Sequence, residues 1–320
     1  IEPIEEYKKD KTLSFWKVVS HNFDDCVKKN WENFTVNIPK NTNYLKCTSY
    51  PYQSVDSGLF YEKINNKLKD NKNISFFKNI SEINSKDSFI FNSVPSIKKD
   101  HRNLWQHFCG VEIETQNNFF DDEIFNLMDF DCEQRESVHF FYTLPYSKTS
   151  ALVETTWLSR MNDSSKKDYD SQIKNYIETH LNLKNYKIIY KEEGAIPLFY
   201  PTNEIEKNKI NIGTAGGMTR LSTGYTFLNI QEHSKYICNN IENISNTKKF
   251  EISKKYQFLD DVFLRVLEKH PEKMPDIFFK MFKSSPKTVI KFFSKKNNFF
   301  EDLSIIFKMP KITFIKALFY

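Results

Sequence analysis

A chain of 320 residues has room for one large domain or two moderate ones, and 39% apolar residues, with 30 phenylalanines among them, supply a core. No segment approaches the ~18 uninterrupted apolar residues of a spanning helix. The five cysteines (Cys26, Cys47, Cys109, Cys132, Cys238) are odd in number, widely spaced and never CxxC, a pattern of free thiols in a reducing compartment rather than of disulfides or a zinc site.

The chain opens Ile1-Glu2-Pro3 with no Met and no signal-peptide pattern, a start that reads as internal. Segments at 12–19, 35–38 and 45–52 are short and weakly periodic, as strands and loops are. After a cap at Ser57, the residues Leu59, Phe60, Ile64 and Leu68 trace one face of an amphipathic helix. A short buried strand at 88–91 ends before Pro95. Strands are expected at 104–114, 124–130, 138–144 and 151–157, the last two joined by a hairpin at 145–149. A helix starts near Asp168 with Ile173, Tyr176, Ile177 and Leu181 on one face. A strand at 186–190 and a proline-bearing loop at 195–201 follow.

The next stretch, GTAGGMTRLSTGYTF (213–227), holds four of the chain's seven glycines. An alternating strand at 209–212 precedes it. A cap at Ser222 or Thr223 and a helical segment reaching roughly Ile241 follow. A strand, a glycine turn and a helix N-terminus together present free N–H groups suited to a phosphate. They equally suit a tight turn that packs helix on strand, and the spacing is not GxGxxG, so the residues alone leave both readings open.

Beyond Ile252 the pattern is helical, with Pro275, Pro286 and Pro310 each heading a short segment. Residues 273–320 carry ten Lys, three acids and ten Phe, a balance of +7 against −2 for the rest of a chain whose total is +5. Basic and aromatic residues together can bind nucleic acid, but these aromatics are Phe in helical spacing and the segment has no Arg. That favours core helices or helices on a membrane surface, with no nucleic-acid partner. The sequence therefore reads as α/β pieces at both ends of a mainly antiparallel sheet, then a helical region.

Candidate chemistry centres on one strand. In SALVETTW (150–157) alternation puts Leu152, Glu154 and Thr156 on one face. An acid among apolar and β-branched neighbours on an inner strand is costly to ionise, so its pKa rises and it becomes a proton donor near neutral pH. On an edge strand the same acid would sit in solvent, and the local pattern does not decide between the two. Asp129, in LMDF (127–130), poses the same question. The seven histidines show no metal-ligand spacing.

Several blocks now stand in order: LWQHFCGVEIET (104–115), LMDFD (127–131), FFYTLPYSKTSALVETTWLS (140–159), EEGAIPL (192–198) and IGTAGGMTRLSTGYTF (212–227), with weaker ones at TLSFW (12–16) and FIFNSVP (89–95). Together they closely resemble the lycopene cyclase family of carotenoid-forming flavoproteins, in its bacterial and plant form, over nearly the whole chain. The resemblance implies an α/β fold related to aromatic hydroxylases, in which a Rossmann-like FAD/NAD(P)-binding domain (1–9, 53–100 and 206–245) is interrupted by a mainly antiparallel substrate sheet (10–52 and 101–205). A helical C-terminal region (246–320) follows. It further implies reduced FAD as cofactor and NAD(P)H as reductant, with Gly213, Thr214, Ala215, Gly216, Gly217, Met218 and Thr219 beside the flavin and Glu2 on the ribose.

LVETTW matches the family's acidic motif, whose first acid, Glu154 here, is thought to protonate the polyene. The second acid is replaced by Thr155, and Val111 and Val94 also depart from common family residues. Asp129 is the other candidate catalytic carboxylate. Trp105, Phe141, Tyr142 and Trp157 are candidates for the aromatic faces of the substrate site. The family opens with a strand, a glycine turn and a helix that hold the ADP half of FAD. The chain resembles a copy that lacks this first βα unit, so weak FAD binding and impaired activity are expected of residues 1–320 alone. The implied activity is lycopene β-cyclisation by a cytoplasmic, peripherally membrane-associated bacterial enzyme. A flavin monooxygenase on the same fold, or a non-catalytic carotenoid- or lipid-binding remnant, would share most of these features.

Overall fold

The fold is described from a computed structural model for residues 8–83, 88–97, 100, 102–161, 164–202, 208–244 and 250–319. Glu2 lies outside these residues. The secondary structure is mixed, and three sheets organise it.

The strands run β1 (Thr12–Trp16), β2 (Val27–Trp31), β3 (Asn33–Ile38), β4 (Asn41–Lys46) and β5 (Tyr52–Asp56), followed by helix α1 (Ser57–Leu68). The cap of α1 is Asp56, whose carboxylate accepts from Leu59 N–H at 3.1 Å, one residue earlier than the expected Ser57. Next come β6 (Ile90–Asn92), β7 (Leu104–Glu114), β8 (Ile124–Asp129), β9 (Val138–Ser147), β10 (Ser150–Arg160), helix α2 (Tyr169–Asn175), which runs into a π-turn at Tyr176–His180, β11 (Lys187–Pro197) and β12 (Lys209–Asn211). Helices α3 (Phe227–Asn239), α4 (Lys254–Lys269), α5 (Met274–Met281), α6 (Pro286–Phe293), α7 (Phe299–Ile306) and α8 (Lys311–Ala317) complete the described chain.

The large sheet has seven strands in the order β11-β7-β10-β9-β8-β3-β4, antiparallel except where β3 and β8 pair in parallel. A smaller antiparallel sheet is ordered β1-β5-β2, and β12 pairs in parallel with β6. Two sequence expectations are corrected here. β11 runs on through Pro197, where the sequence suggested a loop from 195; it is an edge strand, and proline at the end of an edge strand leaves no ladder bond unmade. The β9–β10 hairpin turns at Lys148 and Thr149, because a register shift at Ser150/Ala151 absorbs Pro145 into the strand.

Each face of the large sheet has its own cover. Phe34, Phe125, Phe130, Phe140 and Leu152 pack with Phe263, Phe278, Phe282 and Ile290 of the C-terminal helices. Cys109, Val111, Phe141, Val153 and Trp157 face the other way, onto Tyr169, Ile173, Tyr176 and Ile177. Strands buried on both faces read as near-continuous apolar runs, which is why β9 and β10 show so little alternation in composition. A third cluster (Phe15, Phe23, Val55, Phe60, Phe227) joins the small sheet to α1 and α3.

Candidate active site

Between the large sheet, β1 and the start of α3 lies a cavity of about 240 Å³. β10 supplies Leu152, Glu154, Thr156 and Leu158, β9 supplies Phe140 and Tyr142, and β1 supplies its whole length. Residues 222–229, the end of the glycine-rich stretch and the first turn of α3, close the opposite side, and Phe278 and Phe293 come from the C-terminal helices. Apolar side chains dominate the lining.

Glu154 stands on an inner strand between β7 and β9, and only 9% of it is exposed. Its Oε1 accepts from the Thr156 hydroxyl at 2.6 Å. Burial pushes the carboxyl up to about 8, with a further push from the charge of Glu192; the Thr156 hydrogen bond only partly opposes them. At neutral pH Glu154 is therefore a protonated acid facing a hydrocarbon-lined space. The other carboxylate in the lining, Glu232, pairs with Lys296 at 2.5 Å and is partly exposed.

Strand alternation separates the remaining candidates. In an antiparallel ladder, residues directly opposite share a face. Asp129 stands opposite Phe141, and Phe141 opposite Thr155, so all three face away from Glu154. Burial pulls the Asp129 carboxyl up, but hydrogen bonds from His180, Tyr176 and the Asp131 N–H outweigh it and hold the group below the usual carboxylate range. Asp129 is thus an ion tied to Tyr176 at 2.7 Å and His180 at 3.2 Å, and no proton donor.

Phe141 stacks on Tyr176 at 3.8 Å, and Trp157 stacks on His139 at 3.9 Å while donating to Gln172 at 3.0 Å. Trp105 pairs in register with Ser159, on that same side, and packs against Phe199. Of the four aromatics expected near the substrate, only Tyr142 lines the cavity; Phe141, Trp157 and Trp105 belong to the opposite face because their positions are odd in the β10 ladder. Phe15, Trp16, Phe108, Phe140 and Tyr225 line it instead. Tyr142 hydrogen-bonds the Tyr52 hydroxyl at 2.5 Å, and Tyr225 accepts from Trp16 Nε1 at 3.2 Å. Tyr225 stands inside the glycine-rich motif, whereas nothing in the sequence around Tyr52 marks it.

The glycine turn is tighter than a free phosphate cradle. Gly213, Gly217 and Gly224 take positive φ of 58°, 72° and 70°. The N–H groups of Gly216, Gly217 and Met218 bond within the turn, to Ile212, Thr214 and Gly213 carbonyls. A Cβ on Gly216 would sit 2.5 Å from the Asn211 carbonyl oxygen, so only glycine lets the strand and the turn meet. Ala215, Met218 and Thr219 are buried, and Thr214 lies between Gly213 and this packing; none of residues 213–219 lines the cavity.

The part of the motif that does reach the cavity begins at Ser222, whose hydroxyl is buried without a hydrogen-bond partner. Thr226 at the start of α3 does not cap it, because its hydroxyl donates to the Gly224 carbonyl at 2.9 Å. An unpartnered hydroxyl and an uncapped helix N-terminus on one wall suit a polar, anion-bearing group. Behind this wall Arg220 fastens the motif to the C-terminal helices. Its Nε bonds both Asp260 oxygens at 2.7 and 2.9 Å, and Nη1 reaches the Phe292 carbonyl at 2.9 Å. Neither Arg220 nor Asp260 is more than 1% exposed. Among the described residues no group of His, Cys, Asp and Glu could hold a metal ion.

A family model described as lycopene cyclase protein matches residues 1–319. The chain belongs to the lycopene cyclase family. No curated protein matches this cyclase-family chain by sequence. Among solved structures it is similar to a geranylgeranyl bacteriochlorophyll reductase-like protein from Thermoplasma acidophilum (TM-score 0.59, 12% identity, covering 89% of this chain and 85% of that one). It is also similar to the flavin-dependent brominase Bmp2 (TM-score 0.50, 10% identity, 83% and 76% covered). At these identities the likeness is one of fold alone: the cyclase-family chain shares a mixed α/β architecture with these two proteins.

Proposed function

We propose that the protein closes the linear ends of lycopene into β-rings by acid catalysis, without net redox change. The observation that carries this reading is Glu154: a buried carboxyl held protonated to about 8 and aimed into an aromatic-lined cavity. Glu154 delivers its proton to the terminal double bond of the polyene. The internal alkene attacks the resulting tertiary carbocation, and loss of a ring proton completes the ring. The faces of Trp16, Phe140, Tyr142 and Tyr225 would each stabilise the cation by ~0.5–2 kcal/mol. The apolar lining excludes water, which would otherwise capture the cation.

The fold supports flavin binding, being similar to that of a flavin-dependent brominase; in this reading the cofactor is reduced FAD, with NAD(P)H as its reductant. Ser222 and the first turn of α3 would hold its flavin end, with 213–219 as the support beneath, and the bound group would supply negative charge to the site. The direct test is to incubate the protein with lycopene and reduced FAD and weigh the product. A product of unchanged mass with β-rings is expected. A gain of one oxygen would move the assignment to a monooxygenase, and no conversion beside stoichiometric carotenoid binding would mark a carrier.

A C40 hydrocarbon is reached from a bilayer, and none of the described helices is long and apolar enough to cross one. The membrane surface expected of 273–320 does not lie beside Lys280, Lys283, Lys287 and Lys291. Phe278, Phe279, Phe282 and Phe293 are buried, and Lys291 is paired with Glu301. The exposed apolar groups lie further on, in and beside α7 and α8: Phe299, Phe300 (79% exposed), Phe307, Ile312, Ile315 and Phe319 (83%), interspersed with the exposed Lys308, Lys311 and Lys316. These would rest on an anionic bilayer. Phe300→Ser with Phe307→Ser should cut sedimentation with phosphatidylserine-containing vesicles several-fold, and binding should weaken with salt. Sedimentation unaffected by both changes would return the surface to an ordinary exposed face.

A further inference from the structure

The cavity acid does not stand alone in its row of the sheet. Glu154 on β10 is in register with Gly110 on β7, and Gly110 with Glu192 on β11. Residues in register share a face, so the two glutamates flank a position that has no side chain. A Cβ built on Gly110 would lie 3.5 Å from Glu154 Cβ and 3.4 Å from Glu192 Cγ. Both stems therefore lean over the glycine, and both residues are buried. Two carboxylates in one apolar row cannot both be ionised cheaply.

Their hydrogen bonds divide the pair. Burial pushes the Glu192 carboxyl up as well, but hydrogen bonds from the Thr12 side chain, the Tyr190 hydroxyl at 3.0 Å and the Thr12 backbone N–H pull against it, with Lys9 beyond. Glu154 accepts only from Thr156. Donors stabilise the ionised form, so in a pair sharing one proton the charge settles on Glu192 and the proton on Glu154. Around Glu192 the other titratable groups are Tyr190 on its own strand, Tyr146 from β9, and Glu112 on β7, which is already paired with Lys9 at 2.6 Å and Lys28 at 2.5 Å. Tyr142 and Tyr52 face Glu154, and both are pushed further toward the neutral form by burial.

We propose that Glu192 is a positioning residue: the ionised member of a one-proton carboxyl pair, which keeps the proton on Glu154 across Gly110. The inference builds on Glu154 as the proposed acid. The proton balance is complete within the pair. Glu154 gives one proton to the polyene and becomes a carboxylate beside a second carboxylate. That repulsion makes Glu154 the base to which the ring proton returns, while Glu192 stays ionised throughout.

The test is an infrared titration of the protonated carboxyl stretch on the protein itself, with no carotenoid and no turnover. The wild type should lose a buried-carboxyl band with a midpoint near 8, and Glu154→Gln should abolish it. Glu192→Gln should move the midpoint acidward by about one pH unit or more, the size of a neighbouring charge removed. Glu192→Asp should give a smaller shift in the same direction, and it carries the test if the glutamine variant does not fold. A midpoint unmoved in whichever variant folds would overturn the pair. If the midpoint shifts as expected and lycopene is not converted, the pair stands and the cyclase reading fails; conversion with an unmoved midpoint does the reverse.

Discussion

Replacing Glu154 by glutamine lowers lycopene conversion by ~10²–10⁴-fold, the range for losing a positioned general acid. The amide keeps the shape of the carboxyl and can still accept from the Thr156 hydroxyl, so cavity and fold persist. Glu154→Asp retains a fraction of the activity, limited by a donor one methylene too short. The matched control is Asp129→Asn. Asp129 lies on the other face and is held ionised by His180 and Tyr176, so its loss should act on folding rather than on proton delivery. Full turnover in Glu154→Gln, with none in a folded Asp129→Asn protein, would reverse the assignment of the acid.

The same substitution has a stability signature of opposite sign. The Glu154 carboxyl is raised in the folded protein from 4.5 to about 8. Its contribution is fully present below the lower value and is lost as pH rises through the higher one, at about 1.4 kcal/mol per pH unit between them. Glu154→Gln should therefore unfold at a higher temperature than the wild type near pH 8 while being nearly inactive. Parallel thermal melts at pH 5 and pH 8 would read it, and a variant less stable at pH 8 would contradict the burial argument.

The largest stability effect is expected at Asp260. Asp260→Ala leaves the Arg220 guanidinium buried with no counter-charge, and breaking a buried pair from one side costs ~3–5 kcal/mol. Nη2 of Arg220 already lacks a partner, so little is left to compensate. Its remaining contacts, the Phe292 carbonyl and the Tyr256 ring at 4.5 Å, do not neutralise the charge. Removing both members, as Arg220→Met with Asp260→Leu, should recover much of the loss, because then neither ion is stranded. Denaturant melts of the wild type and the two variants decide this. A double variant no more stable than Asp260→Ala would show that the pair fixes the geometry of 220–226 rather than its charge balance.

The long strands were legible because apolar, β-branched and aromatic residues are dense between turn signals at 104–114, 138–144 and 151–157. The inner position of Glu154 was not legible. Alternation gives a face, but only the order β7-β10-β9 says that both neighbours are strands. Alternation along β10 already puts Trp157 on the face away from Glu154; for Phe141 on β9 it needs the pairing that the sequence does not state. Glu192 stood in a recognisable block, EEGAIPL, but fell between the strand expected to end at 190 and the loop expected from 195; its partnership with Glu154 is a property of three strands. The phenylalanines of the tail were visible as helical, but which of them are covered depends on how α5 to α8 stack, and nothing local encodes that.

The two margins of the large sheet bear on how the molecule behaves when crowded. Bare strand edges invite copies to zip together when molecules crowd. At one margin β11 exposes the adjacent Ile188 and Ile189, a hazardous pair on a flat edge. There the ladder breaks register between Ile188 and Tyr190, exposed Lys187 and Lys191 bracket the pair, and Pro197 ends the strand. At the other margin β4 shows Asn41, Thr42, Lys46 and the exposed Tyr44 ring, while the half-buried Asn43 has its amide tied back to the Phe279 carbonyl at 3.0 Å. Both borders are thus blunted against strand addition.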